Sequence, residues 1–198
     1  MYSSEIKAEI IRKSIHCLIA LVPFMASVNR KFTLIFLIAG ILVYTFMELL
    51  RLKSIRVPLI SALTALAARS QNALRFEMGP VTLGLGALLS LLFYSSRDNF
   101  QAASIAIFAL AFGDGFAGLA GKAIGRLRPR FLFGKSVEGT LVCFIVVLIT
   151  SSLVSKNIYI SVIAAIIAAL VEALPLGDFD NLVLPLAVGF AVQWMLGA

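Results

Sequence analysis

Seven long apolar runs dominate the chain, over 14–28, 31–50, 80–95, 99–121, 137–155, 157–174 and 181–197. Each is close to the length a helix needs to cross the hydrocarbon layer of a bilayer. Lipid offers the backbone no hydrogen bonds, so a segment that is apolar all round satisfies its N–H and C=O groups internally, as a helix. Composition agrees: 61% of the 198 residues are hydrophobic and 14% are charged, far from a soluble domain. The expectation is an all-α, polytopic membrane helix bundle forming one integral membrane domain over 1–198, with about seven transmembrane helices. An eighth apolar piece, 57–68, is short and lies between Arg56 and Arg69, and is expected to be an interfacial or re-entrant helix. The first run is preceded by Glu5, Lys7, Glu9, Arg12 and Lys13 and followed by no small-residue cleavage site, so it is expected to stay as the first span. Cys17 and Cys143 fall inside the runs with no metal-ligand spacing around them and read as packing residues.

The formal net charge of +7 sorts by side of the membrane. With a cytoplasmic N-terminus and seven alternating spans, Lys7, Arg12, Lys13, Arg51, Lys53, Arg56, Arg69, Arg75, Lys122, Arg126, Arg128, Arg130 and Lys135 fall inside, which is 13 of the 17 basic residues. Arg30, Lys31, Arg97 and Lys156 fall outside, and the C-terminus is external. This is a topology signal and argues against nucleic acid as a partner. The ten carboxylates divide in the same way, although the positive-inside rule does not govern acids. Glu5, Glu9, Glu48, Glu77, Asp114, Glu138, Glu172, Asp178 and Asp180 sit at the cytoplasmic side, and only Asp98 is outside. A carboxylate in a span costs at least about 2.5–3.5 kcal/mol, so an acidic face points to a cytoplasmic catalytic surface.

Three stretches could carry chemistry. In "FGDGFAGLAGKAIGR", residues 112–126, helical spacing puts Asp114, Gly118, Gly121 and Gly125 on one stripe that ends near Lys122 and Arg126. Tight helix packing explains the glycines; it does not explain the aspartate. A metal-bound phosphate lying against the bare backbone explains both. The loop "GRLRPRFLFGKSVEGT", residues 125–140, offers Lys135 and Ser136 at a helix start with Glu138 behind them. It is no P-loop, because Pro129 stands where the first glycine is required and no strand precedes it. Arg128 and Arg130 read as topology anchors. In "EALPLGDFDNLVLPL", residues 172–186, Glu172, Asp178, Asp180 and Asn181 supply oxygen donors of the kind that bind Mg²⁺, although one of the last three could be an ordinary N-cap. Two weaker signals remain. Arg12 and His16 share a helix face, the latter being the only histidine, and Glu48, Arg51 and Glu77 are acids and an arginine at cytoplasmic helix ends, where local ion pairs are the plainer reading.

Four of these pieces, in this order, resemble the CTP-dependent lipid-alcohol kinase family, which includes dolichol kinase, phytol kinase and fungal-type diacylglycerol kinase, and which is related to phosphatidate cytidylyltransferases. They are E-x-x-R-K-x-x-H (Glu9, Arg12, Lys13, His16), G-D-x-x-A-x-x-x-G-x-x-x-G-R over 113–126, G-K-S-x-E-G over 134–139, and E-A-L-P followed by D-N over 172–181. The resemblance implies transfer of the γ-phosphate of a nucleoside triphosphate, CTP favoured, to the hydroxyl of diacylglycerol, a polyprenol or a phytol-like alcohol, at the cytoplasmic face of a prokaryotic membrane. On that reading Asp114, Glu138 and Lys135 are catalytic. Gly118, Gly121, Lys122, Gly125, Arg126, Ser136, Arg12 and His16 bind nucleotide or phosphate. Asp114, Asp178, Asp180, Asn181 and Glu172 hold Mg²⁺ or another divalent cation. Two alternatives stay open: cytidylyl transfer to a lipid phosphate, and a small transporter that uses the inside acids for ion coupling. The cytidylyltransferases end in a lysine-aspartate, a glycine pair and an aspartate-arginine pattern, where this chain has "GDFDNLVLPL".

Overall fold

The computed structural model describes residues 2–53, 76–95 and 100–197. The segment expected to be interfacial, 57–68, lies outside the described residues, as do Arg56, Arg69, Arg75, Arg97 and Asp98. Every regular element among the described residues is helical. Helix α1 (Tyr2–Cys17) passes through a 3₁₀ turn, Leu18–Leu21, into α2 (Val22–Leu52). There follow α3 (Gly79–Tyr94), α4 (Gln101–Phe108), a π-helical turn (Ala109–Asp114) that leads directly into α5 (Gly115–Ala123), then α6 (Val137–Ser155), α7 (Ile158–Glu172) and α8 (Asp180–Gly197).

Among the described residues, four stretches are long and apolar enough to cross a membrane: Glu9–Leu52, Gln101–Ala123, Val137–Ser155 and Gly177–Gly197. Gly79–Tyr94 and Ile158–Glu172 are apolar but shorter, so the expected count of about seven is met only in part by length. The longest stretch is not one rod. Asn29 breaks it with extended backbone (φ −152°, ψ 97°), at the boundary between the first two apolar runs. Its side-chain oxygen accepts from Phe32 N at 3.0 Å, and Thr33 Oγ1 donates to its carbonyl at 2.9 Å, so Asn29 caps the helix that follows.

Polar contacts show that successive segments run back and forth between two ends of the bundle. At one end Arg30 donates to Ser95 Oγ and to the Leu91 carbonyl, and Gln101 donates to the Val154 carbonyl. At the other end gather Lys13 with Asp114, Glu48 with the Glu77 amide, and Asn181 with Gly79. Two apolar clusters fill the space between. Ala109, Cys143, Val147, Ala164, Ala168 and Leu184 pack α4 to α8 and the π turn together, while Ala26, Leu37, Ala87, Leu91 and Ile107 join α2, α3 and α4. Small side chains let the backbones approach closely, the usual means of association where no hydrophobic force acts between helices. At one crossing Pro185 has no N–H for the Asn181 carbonyl, and Gly86 packs against that oxygen because it has no Cβ.

The polarity of the bundle is reversed relative to a soluble one. Phe24, Ile35, Leu153, Tyr159 and Trp194 are exposed, whereas Glu9, Lys13, Glu48, Asp114, Glu172 and Asp180 are buried. Apolar outside with paired charges inside is the arrangement of a membrane protein.

Candidate active site

The π turn at Ala109–Asp114 positions the site. Bonding each N–H to the carbonyl five residues back re-aims the carbonyls of the turn, and α1 lies against them. His16 Nε2 lies 2.9 Å from the Leu110 carbonyl, Cys17 Sγ donates to Ala111 O at 3.4 Å, and Lys13 Nζ donates to Asp114 O at 3.0 Å. Lys13, His16 and Cys17 are three and four residues apart, one face of α1. A carbonyl can only accept, so His16 Nε2 carries a proton. The glycines beside Asp114 make the approach possible. A Cβ on Gly113 would stand 2.7 Å from Val147, and one on Gly115 would stand 3.2 Å from Cys17 Sγ.

Three buried carboxylates converge here. Asp114, Glu172 and Asp180 each place an oxygen within 4.8 Å of the other two. Two lysines face them. Lys13 Nζ is 2.6 Å from Asp114 Oδ2, and Lys135 Nζ is 2.9 Å from Glu172 Oε1 and 3.8 Å from Asp180 Oδ2. His16 Nε2 lies 3.2 Å from Asp114 Oδ2 as well. Glu172 Oε2 is buried and has no hydrogen-bond partner. Three hard, buried oxygen donors with one oxygen unsatisfied fit Mg²⁺ or a similar divalent cation, whose remaining positions water and phosphate fill.

The other expected ligands stand apart from this triad. Asn181 donates its amide to Gly79 O at 3.3 Å and to Thr82 Oγ1 at 3.2 Å, tying α8 to α3. Asp178 lies next to Gly79, where an added Cβ would be 3.9 Å from its Oδ1.

The glycine stripe receives protein side chains. A Cβ on Gly118 would come within 2.7 Å of Lys13 Cε, and one on Gly125 within 2.6 Å of Ser136 Oγ; Gly121 also faces that hydroxyl. Ser136 caps α6 by accepting from Gly139 N at 3.1 Å. Glu138, expected to be catalytic, accepts from Arg126 N at 2.9 Å and Leu127 N at 3.1 Å, and so holds the loop that Arg128 closes with bonds to Gly121 O and Gly134 O. At the rim Lys122 pairs with Glu9 Oε2 at 2.7 Å, and Arg12 pairs with the other oxygen of Glu9. Arg126 is exposed. Glu48, fully buried, is held by Arg51 and accepts from Glu77 N at 3.0 Å, a cluster that anchors the start of α3.

Two buried members of the site, Lys13 and Glu9, were not singled out as site residues from the sequence. Their signal was the helical face shared by Glu9, Lys13 and His16. No protein-family model, curated protein or solved structure matches this chain.

Proposed function

We propose that this protein is a membrane phosphotransferase that moves the γ-phosphate of a nucleoside triphosphate, CTP by preference, to the hydroxyl of a lipid alcohol such as diacylglycerol, a polyprenol or a phytol-like alcohol. One observation carries the reading. The four sequence stretches behind the resemblance span residues 9–181, and Lys13, Asp114, Lys135, Glu172 and Asp180, drawn from all four, meet in one cluster around a buried acid triad. Packing alone has no need of three carboxylates in contact inside an apolar bundle.

Phosphoryl transfer requires positioning and charge neutralisation more than covalent chemistry from the protein. Asp114, Glu172 and Asp180 would hold the divalent cation, which supplies charge neutralisation at the phosphates. Lys135 adds a second positive group beside two of the acids. His16 and Lys13 hold the Asp114 carboxylate in one orientation from α1, and the Glu138 cap keeps the basic loop folded against the helix that carries Asp114. On this reading the back-and-forth path is seven crossings, the N-terminus and the acidic end are cytoplasmic, and the C-terminus is external.

The test is incubation of the purified protein with γ-labelled CTP or ATP and a panel of diacylglycerol, undecaprenol and phytol. Label in the lipid, with nucleoside diphosphate released, supports the reading. Release of pyrophosphate with a CDP-lipid product means cytidylyl transfer. Ion-coupled transport by proteoliposomes with no nucleotide turnover means the enzyme reading is wrong.

A further inference from the structure

The ammonium of Lys13 occupies an unusual place. It is 2.6 Å from Asp114 Oδ2 and 3.0 Å from the same residue's carbonyl, with the side chain 4% exposed, on the carboxylate that belongs to the acid triad. Its stem runs over Gly118, where an added Cβ would stand 2.7 Å from Lys13 Cε and 3.4 Å from Glu9 Oε1. The three carboxylates of the triad face the ammonium groups of Lys13 and Lys135, so the acids outnumber the lysines that pair with them. A divalent cation held by these carboxylates would share Asp114 with the Lys13 ammonium, which already lies 2.6 Å from its Oδ2. Like charges that close inside a bundle repel strongly. The metal and Lys13 therefore compete for Asp114, and a displaced ammonium beside a bound cation suits an anion. The buried, unpartnered Oε2 of Glu172 is the independent sign that the triad offers an oxygen to a cation.

We propose that Lys13 holds the place of the divalent cation at Asp114 and, once displaced by it, becomes a ligand for the phosphate that the cation brings. The proposal rests on the metal-phosphate reading of the site and adds its recognition rule: the site takes a polyphosphate together with its metal and discriminates against the bare metal. Lys13 reaches Asp114 from α1 through a flexible four-carbon stem, so the exchange needs a rotation of one side chain and no movement of the bundle. The emptied space above Gly118 lies next to Lys122, whose ammonium already faces the rim.

The experiment compares the full-length protein with Lys13→Met and Gly118→Ala in detergent, by equilibrium dialysis against Mn²⁺ alone and against preformed manganese pyrophosphate, counting protein-bound metal. The alanine Cβ presses on the mobile end of Lys13 and keeps its charge, so it moves the ammonium without deleting it. Size exclusion and thermal unfolding establish that each variant is folded, and if Lys13→Met does not fold, Gly118→Ala carries the test. The expected result is that the wild type binds manganese pyrophosphate at least about tenfold tighter than Mn²⁺ alone. Lys13→Met should bind Mn²⁺ alone about tenfold tighter than the wild type and lose the pyrophosphate advantage, and Gly118→Ala should shift the same way by a smaller factor. If the folded variants and the wild type bind Mn²⁺ alike, within twofold, the placeholder role is wrong while the metal site stands. If none of them binds manganese in either form, the metal reading of the site falls and the placeholder with it.

Discussion

Replacing Glu172 by Gln should stabilise the cation-free protein. Glu172 lies within 4.8 Å of both Asp114 and Asp180. At an effective dielectric constant of about 20, two unit charges 4.8 Å apart repel by about 3.5 kcal/mol, so the two pairs together cost about 7 kcal/mol. Against this stands Lys135 at 2.9 Å, whose attraction on the same scale is about 5.7 kcal/mol. An amide at this position loses both terms, and its oxygen still accepts a hydrogen bond from Lys135. Its nitrogen donates toward the two remaining acids from the place of the unpartnered Oε2, where a lone acceptor now costs about 1–3 kcal/mol. The balance favours Gln by about 1 kcal/mol or somewhat more, which for a chain of this size raises the melting temperature by roughly 2–4 °C. The assay is thermal unfolding in detergent with a chelator present, followed by circular dichroism. Saturating Mg²⁺ should reverse the order, because a ligand at 100 times its dissociation constant adds about 2.7 kcal/mol to the wild type and little to a variant without that ligand oxygen. A Gln variant that melts below the wild type in chelator, with Mg²⁺ making no difference to either, would refute both the stored repulsion and the cation site.

Asp114→Asn and Asp180→Asn should each lower label transfer to lipid by about 10²–10⁴ while leaving the protein folded, as loss of a base or metal ligand does. Near wild-type turnover in either would remove that residue from the reaction. Glu138→Ala should leave the acid triad intact but free the Arg126 and Leu127 amides, so hydrogen exchange at Leu127 should speed up while exchange in α7 stays unchanged. Gly125→Ala should destabilise by about 1–3 kcal/mol, since its Cβ meets Ser136 and the Gly121 carbonyl and neither is the free end of a flexible chain. A melting temperature equal to that of the wild type would refute a close contact between Gly125 and the start of α6. Finally, cysteines placed at Arg128 and at Tyr159 should react with a membrane-impermeant reagent from opposite sides, the first only after the cytoplasmic side is opened.

How much of this was legible in the sequence differs by feature. Helical class and apolar exterior follow from the runs themselves, and the break at Asn29 falls at the polar gap between the first two. Length was a weaker guide: Gly79–Tyr94 and Ile158–Glu172 form apolar helices shorter than a standard span, although the apolar runs that predict them are near full length. Of the five expected metal ligands the structure brings Asp114, Glu172 and Asp180 together. Asp178 and Asn181 were indistinguishable from Asp180 in a row of oxygen-bearing side chains, and only the start of α8 decides which of them faces the triad and which faces α3. Lys13 was hidden for a related reason. It sits beside Arg12, and a count of basic residues near a helix end cannot tell the one turned inward toward Asp114 from the one turned to the rim.

The glycines of 113–125 join the packing of the bundle to its chemistry. If they served packing alone, the stripe should be filled by a neighbouring helix along its whole length. If they served phosphate alone, it should stand open. It is divided instead. Gly121 and Gly125 are closed by Ser136, the residue that starts α6, while Gly118 admits the stem of a lysine, which is removable. The π turn fixes where the division falls, because it anchors α1 through the Leu110, Ala111 and Asp114 carbonyls and so sets which α1 side chain reaches the aspartate. A helix of ordinary pitch there would turn Asp114 and Gly118 away from Lys13 by a full residue's rotation, roughly 100°. The Gly121–Gly125 half of the stripe is thus closed by backbone and by a helix cap, and the half beside the acids holds a charged side chain that can leave without disturbing a backbone.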